Sequence, residues 1–244
     1  MGQNGTAQVV VVQPDPHSPL ARFETWLGDA GLQFMTLRPF AGDEVPHTLQ
    51  HDGLIVMGGE MSSLDDAAHP WLVDIRVLLR DAVSRARPTL GICLGGQLLA
   101  QAFGGRVAVG DRGVEAGLVW VNGTDQAAND DLFEGLVRPF PAGTLHTDMI
   151  AELPQDASWL GSSSLYRHQA FRVGACGWGI QFHPELSPDL YREWEAHYAK
   201  TADEPLLRLL RDGSEQLQRM DGEVEPATRE LAKRFANIVL TRRQ

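Results

Sequence analysis

The segment Thr89–Ala100 constrains the fold more than any other part of the chain, because it joins a strand, a tight turn and a helix around one thiol. A short apolar run ends at Cys93, with Gly91 two residues before it and Gly95 two residues after it. A strained strand-to-helix turn exposes its nucleophile above the sheet, and glycines relieve the crowding there. The segment therefore predicts an α/β protein with a thiol at the carboxyl end of a strand.

The surroundings of Cys93 decide between a reactive thiol and an ordinary buried cysteine. A helix N-terminus directly after Cys93 favours the thiolate through its N–H groups and dipole. Free cysteines are also among the most buried residues, so the turn alone leaves both interpretations open. A second apolar run, from Gly179, ends at His183 and is followed by Glu185. These three groups follow predicted strands. A thiol can act as a nucleophile, an imidazole can act as its base, and a carboxylate can orient the imidazole.

Three motifs together resemble those of one family. The cysteine motif reads Gly91-x-Cys93-x-Gly95-x-Gln97, the histidine motif reads Gln181-Phe182-His183-Pro184-Glu185, and a glycine-rich strand reads Leu54-Ile55-Val56-Met57-Gly58-Gly59-Glu60-Met61-Ser62. The chain resembles the class I (triad) glutamine amidotransferases from about Ala7 to Tyr198. Within them it is most similar to stand-alone proteins like the amidotransferase part of GMP synthase.

The order of apolar runs and amphipathic segments favours a largely parallel sheet covered by helices. We expect a flavodoxin-like α/β fold with helices on both faces, and the residue pattern after Gly105 and after Lys200 predicts a small antiparallel addition and a helical C-terminal extension. We expect the amidotransferase domain to span residues 1–200 and the extension, packed on the same domain, to span residues 201–244. Within the extension, Pro205–Met220 reads as an inserted helix.

Several elements have predicted bounds. Ser18 is expected to cap a helix over Pro19–Ala30, and Leu32–Leu37 and Thr89–Ile92 are expected to be strands of the main sheet. The small antiparallel addition is expected to consist of the shorter strands Arg106–Val109, Val114–Val121 and Gly143–His146.

The resemblance also implies the catalytic roles. Cys93 attacks a γ-glutamyl carbonyl, His183 transfers the proton, and Glu185 orients His183. The N–H groups of Gly59 and Leu94 stabilise the oxyanion.

Four further residues are expected to bind substrate. The resemblance places Gln97 in the glutamine site, one helical turn after the cysteine. Glu60 stands where the family usually has proline, which brings a carboxyl group near the pocket. His146 and Asp148 resemble a short motif at the pocket rim, although a capped turn explains the same residues equally well.

Composition limits the partners. The chain of 244 residues has a formal net charge of −11, which argues against a nucleic-acid footprint. No apolar run is long enough to span a membrane, and we expect no secretory signal. Cys93 and Cys176 have neither disulfide nor zinc spacing, so Cys176 is expected to be structural and the compartment to be the reducing cytoplasm. No cofactor and no metal are expected.

Three functions remain open at this stage. The first is a glutamine amidotransferase that releases ammonia to a partner synthetase. The second is an independent γ-glutamyl peptide hydrolase, and the third is a non-catalytic binding or redox-sensing protein. The third is disfavoured because a sensor thiol needs no proton shuttle of the kind that His183 and Glu185 form. The ammonia acceptor and any homo-oligomer are left open.

Overall fold

The computed structural model describes residues 6–243, so the outermost ends of the two expected domains, residues 1–5 and 244, lie outside it. The strands are β1 Ala7–Val12, β2 Leu32–Leu37, β3 Gly53–Val56, β4 Thr89–Ile92, β5 Arg106–Val109, β6 Glu115–Gly123, β7 Phe140–His146, β8 Asp148–Glu152, β9 Ser158–Ser162, β10 Ala170–Val173 and β11 Gly177–Ile180. The helices are α1 Arg22–Asp29, α2 Trp71–Ser84, α3 Leu94–Ala102, α4 Pro188–Tyr198 and α5 Glu204–Thr241.

Nine strands form one mixed sheet in the order β2-β1-β3-β4-β11-β10-β9-β6-β7. The five strands from β2 to β11 are mutually parallel, and the other four continue the sheet in antiparallel fashion. The carboxyl ends of β3, β4 and β11 therefore meet at one edge, which is where open α/β sheets bind ligands.

Helices cover both faces of the sheet, as expected. The β-branched residues of β1 alternate between two cores: Val9 and Val11 pack with α1 and the last turns of α5, whereas Val10 and Val12 pack with α2 and α3. Because both faces are buried from Val9 onward, the strand is continuously apolar from Val9 to Val12 rather than alternating with polar residues.

The small antiparallel addition differs in detail from the expectation. Of the strands expected in this addition, β5 alone lies outside the main sheet. It pairs with β8, a strand that was not predicted from the sequence. The segments expected to accompany β5, now β6 and β7, extend the main sheet instead. The separate sheet is therefore a two-stranded ribbon, and it carries Asp148 to the site.

Two predicted helix boundaries were wrong. Helix α1 begins at Arg22 and not at Pro19, and Ser18 is not its cap, because no side chain caps α1. Ser18 instead closes a turn through its N–H to the carbonyl of Asp15 and faces the site. The C-terminal region is one helix of 38 residues rather than an insertion followed by a terminal helix, and it continues through Pro226.

The first half of α5 packs on α4. Leu210, Leu217 and Val224 are buried with Tyr191 and Trp194 in a third apolar cluster. This packing brings the first turns of α5 to the carboxyl edge of the sheet. No helix among residues 6–243 combines the length and the apolar character needed to cross a membrane.

Candidate active site

Cys93 sits in a strained turn between β4 and α3. Its backbone has φ 50° and ψ −106°, a conformation that costs a non-glycine residue energy and is found mainly at functional sites. Neighbouring glycines permit this turn. A Cβ at Gly91 would lie 2.4 Å from the carbonyl oxygen of Gly95, and one at Gly95 would lie 2.1 Å from that of Val56.

His183 and Glu185 lie in the loop after β11. The N–H of His183 donates to the carbonyl of Gly143 in β7 at 2.8 Å, which fixes the backbone of the loop. Nδ1 of His183 is 2.7 Å from Oε1 of Glu185, and the carboxyl group of Glu185 is fully buried. The ring of Trp194 packs edge-on to that of His183, with 4.9 Å between centroids.

His183 and Cys93 line one cavity, and the sulfur lies near enough to influence the pKa of the imidazole. Burial alone lowers the pKa of His183, but the carboxylate of Glu185 and the sulfur of Cys93 outweigh burial and raise that pKa to about 10. An imidazole between a thiol and a buried carboxylate is the arrangement in which a base can activate a cysteine nucleophile.

A hydrogen-bond chain connects the thiol to the pocket rim. This chain was not predicted from the sequence. Nε2 of Gln181 is 3.5 Å from Sγ of Cys93. Nε2 of Gln97 donates to Oε1 of Gln181 at 3.3 Å and to the carbonyl of Asp148 at 3.1 Å. Gln97 therefore lies in the site as expected. Its side chain is buried, and its amide nitrogen donates hydrogen bonds to protein groups. Gln181 is the first residue of the histidine motif, so its amide was the feature of the sequence that could have indicated this hydrogen-bond chain.

The two expected oxyanion donors, Gly59 and Leu94, lie near Cys93. Leu94 is the first residue of α3, so its N–H has no acceptor within the helix. Gly59 follows β3 and shares a cavity wall with Cys93. A Cβ at Gly58 would come within 2.9 Å of Cε1 of His183, so only glycine lets this loop approach the imidazole.

A pocket of about 350 Å³ opens beside Cys93, a volume typical of small-ligand sites at ~300–1,000 Å³. We call it the substrate pocket. All of the expected substrate-binding residues line it, and so do residues of α4 and α5 that the sequence did not indicate. The lining residues are Gly59, Glu60, Met61, Ser62, Asp65, Cys93, Gln97, Val114, Leu145, His146, Thr147, Asp148, Tyr198, Leu206 and Leu210.

His146 and Asp148 are held in place at the rim. Nδ1 of His146 is 2.9 Å from the carbonyl of Asp148, and Nε2 is 2.9 Å from the carboxylate of Glu115. The side chain of Asp148 accepts a hydrogen bond of 2.6 Å from the hydroxyl of Ser62. This bond joins β8 to the loop that carries Gly59, so the rim and the expected oxyanion loop form one unit.

Glu60 has several partners at the pocket mouth. Its carboxylate is 2.7 Å from Nε2 of His197 and lies near the hydroxyl of Tyr198. Burial, together with the charge of Glu60, raises the pKa of Tyr198 well above its usual value, so this hydroxyl stays protonated.

Cys176 has none of these features. It is fully buried in the core, and burial raises the pKa of its thiol. Such a thiol is a poor nucleophile.

The carboxyl edge of the parallel sheet carries a strained cysteine, a buried imidazole and a buried carboxylate. This combination is typical of the thiol hydrolase class of protein. The model of the family "Glutamine amidotransferase class-I" matches residues 28–194. The chain belongs to the class I glutamine amidotransferase family.

Individual relatives carry two kinds of name. The chain is 28% identical to gamma-glutamyl peptidase 4 of Arabidopsis thaliana over 172 residues, which are 69% of this chain and 68% of that protein. It is 30% identical to one subunit of the glutamine-hydrolysing GMP synthase of Archaeoglobus fulgidus over 153 residues, 59% of this chain and 74% of the other. A solved glutamine amidotransferase of Methylobacillus flagellatus superposes with a TM-score of 0.84 at 27% identity, covering 98% of this chain and 96% of that one.

Proposed function

We propose that this chain hydrolyses the side-chain amide of L-glutamine and thereby supplies ammonia to an acceptor reaction. The observation that carries the proposal is the grouping of Cys93, which lines the substrate pocket, with His183, which lines a cavity together with Cys93 and is hydrogen-bonded to Glu185. The cytoplasm suits such a reduced thiol.

In the proposed mechanism the thiolate of Cys93 attacks the γ-carbonyl carbon. The N–H groups of Gly59 and Leu94 bind the oxyanion, each worth about 3–4 kcal/mol by analogy with other such donors. His183 then donates its proton to the departing ammonia, and the C–N bond breaks. A water molecule gives a proton back to His183 and cleaves the thioester, which releases glutamate and restores the thiolate.

Glu185 orients His183 throughout this cycle and stabilises the imidazolium before the proton is donated and after it is regained. Because the carboxylate is fully buried, its field on the imidazolium is not screened by water. The amide of Gln181 adds a donor toward the sulfur. No metal ion takes part in any of these steps.

A second candidate function is hydrolysis of γ-glutamyl amides larger than glutamine, without a partner. The observation that favours it is the position of Leu206 and Leu210, which give the substrate pocket an apolar wall from α5. A wall of this kind suits an apolar leaving amine, which ammonia is not.

The charges in the substrate pocket narrow this second candidate further. Glu60, Asp65 and Asp148 line it, whereas none of the described lining residues is Lys or Arg. Leaving amines that are neutral or cationic are therefore favoured over amino acids and peptides, whose carboxylates would be repelled.

A synthetase partner belongs to the first candidate. The GMP synthase relative from Archaeoglobus fulgidus is named as one subunit of that synthase, and an amidotransferase of that kind would transfer its ammonia to a synthetase. If this chain works in the same way, we expect its cognate synthetase to raise kcat for glutamine.

The test compares four substrates with the isolated chain: L-glutamine, a γ-glutamyl anilide, a γ-glutamyl diaminoalkane and a γ-glutamyl dipeptide. Released glutamate is measured, and Cys93→Ala is the control for background hydrolysis. Glutamine turnover that Cys93→Ala lacks supports the first candidate. Fast cleavage of the anilide or the diaminoalkane derivative, with glutamine a poor substrate, replaces it by the second. Absence of Cys93-dependent turnover with all four overturns both.

A further inference from the structure

Three side chains at the mouth of the site carry the donor atoms of a metal site. His17 follows β1, Glu60 follows β3 and His197 lies near the end of α4, and one ligand atom from each lies within 4.8 Å of the other two. The centroids of the two imidazole rings are 4.1 Å apart. Two histidines and one glutamate, with a fourth position open, form a ligand set that Zn²⁺ uses in proteins.

Groups behind these three side chains hold them in place, as metal sites require. Oδ1 of Asp15 lies 3.3 Å from Nδ1 of His17 and accepts the N–H of the same residue at 2.7 Å. Oδ2 of Asp15 accepts the N–H of Glu60 at 3.2 Å. One carboxylate thus fixes the backbone of two of the three residues.

The three side chains are accessible without being wholly exposed. Their exposed fractions are 44% for His17, 37% for Glu60 and 32% for His197. A cation can therefore reach the donors from solvent, while the surrounding residues limit their rotation.

The cluster lies next to the catalytic groups. His17 and Glu60 line a cavity together with Cys93 and His183. The carbonyl of His17 accepts a hydrogen bond of 2.7 Å from Nε1 of Trp194, whose ring packs on His183. Glu60 directly follows Gly59, so a ligand on Glu60 restrains the loop of the expected oxyanion donor.

We propose that His17, Glu60 and His197 bind one divalent transition-metal ion, with Zn²⁺ the best match to the donors, and that the bound ion inhibits hydrolysis by closing the entrance to Cys93. The binding part stands on the cluster alone. The inhibition part rests on the proposed function.

The binding test uses Cys93→Ala protein, so that the catalytic thiol cannot contribute a ligand. Zn²⁺ is titrated by calorimetry, and Co²⁺ is added separately to record its visible absorption. We expect one ion per chain, and at least a tenfold loss of affinity when either His17→Ala or His197→Ala is added. His47→Ala is the matched control, because His47 is an exposed histidine paired to a carboxylate, Asp74, at 2.8 Å.

The cluster residues are at the surface, so these variants should keep the fold, and unfolding temperatures measured with chelator verify this. Absence of binding, or equal affinity in the His17→Ala, His197→Ala and His47→Ala proteins, overturns the site.

The inhibition test measures the Zn²⁺ concentration that halves turnover by chain with an intact Cys93. A tenfold rise in that concentration for His197→Ala, but not for His47→Ala, supports inhibition through this site, and no difference refutes it. A chain without measurable turnover refutes the inhibition part together with the proposed function, while the binding titration still decides the metal site by itself.

Discussion

Nδ1 of His183 lies 2.7 Å from Oε1 of Glu185, a carboxylate that is completely buried two residues further along the chain. The second oxygen of Glu185 has no partner among the described residues. A buried carboxylate with one such contact acts mainly on that partner, and the imidazole therefore carries a proton that burial alone would remove.

The first prediction concerns catalysis by this pair. Glu185→Gln keeps the shape but removes the charge, and we expect kcat/KM to fall by about 10²–10⁴, since neutralising the orienting carboxylate of another triad costs about 10⁴. His183→Ala should lose nearly as much as Cys93→Ala because the residues act as a unit. Steady-state kinetics on any accepted substrate measure this, with His168→Ala as a histidine control outside the triad. Wild-type rates in both variants would show that the chemistry lies elsewhere.

The second prediction concerns pH and stability. The folded-state pKa of His183, about 10, is above the ordinary value of 6.5, so the charged imidazole stabilises the fold fully below pH 6.5 and loses this effect as pH rises toward 10. Glu185→Gln removes the anion that raises this pKa. The stability difference between wild type and Glu185→Gln should therefore shrink between about pH 6.5 and 10, as measured by urea unfolding. A difference that stays constant or grows over this range would contradict the charge state assigned to His183.

The third prediction separates the two thiols. A diazoketone analogue of glutamine should alkylate Cys93 and leave Cys176 unmodified, because Cys176 is fully buried and its thiol has a raised pKa. Peptide mapping by mass spectrometry locates the label. Cys176→Ala should retain turnover, whereas Cys93→Ala should lose it while keeping a native circular dichroism spectrum. Equal labelling of both thiols in folded protein would remove the case for Cys93.

The parts of the site that follow directly from local sequence were predictable. The bounds of β2, β4 and β5 agree with the expectation, since each is a short, mainly apolar run that directly follows a glycine or a proline. The turn at Cys93 carries its own signal, because glycines on both sides are needed where a Cβ would meet backbone atoms.

What could not be predicted depends on contacts between distant segments. Strand β8 forms by pairing with β5, and its own residues lack a strong strand pattern. The contribution of Tyr198, Leu206 and Leu210 to the substrate pocket depends on how α4 and α5 pack against the sheet. The contact between His17 and His197 joins two segments that are far apart in the sequence, and no spacing in the sequence could have indicated it.

The fourth prediction tests the packing of the turn. A Cβ at Gly95 would lie 2.1 Å from the carbonyl oxygen of Val56, a backbone atom with little freedom to move. Gly95→Ala should therefore destabilise the fold by at least about 1–3 kcal/mol, as overpacking does in other cores. Gly28→Ala is the control: Gly28 is exposed on α1 with nothing within 4 Å, and alanine is favoured there by about 0.5–1 kcal/mol. Urea unfolding compares the two, and equal stability of both variants would refute the close approach.

The fifth prediction tests whether α5 selects the leaving group. Leu206 is half-buried and gives the substrate pocket an apolar wall, whereas the neighbouring Leu207 does not line it. Removing the Leu206 side chain should lower kcat/KM for a γ-glutamyl anilide by about tenfold or more, because each methylene lost from a hydrophobic pocket is worth about 1–3 kcal/mol. L-Glutamine has no apolar leaving group, so its kcat/KM should change little. Leu206→Ala and the matched Leu207→Ala are compared with both substrates at equal enzyme concentration. A selective loss for the anilide in Leu206→Ala alone supports the second candidate function. An equal loss for both substrates, or the same selectivity in Leu207→Ala, would show that α5 supports the fold without choosing the substrate.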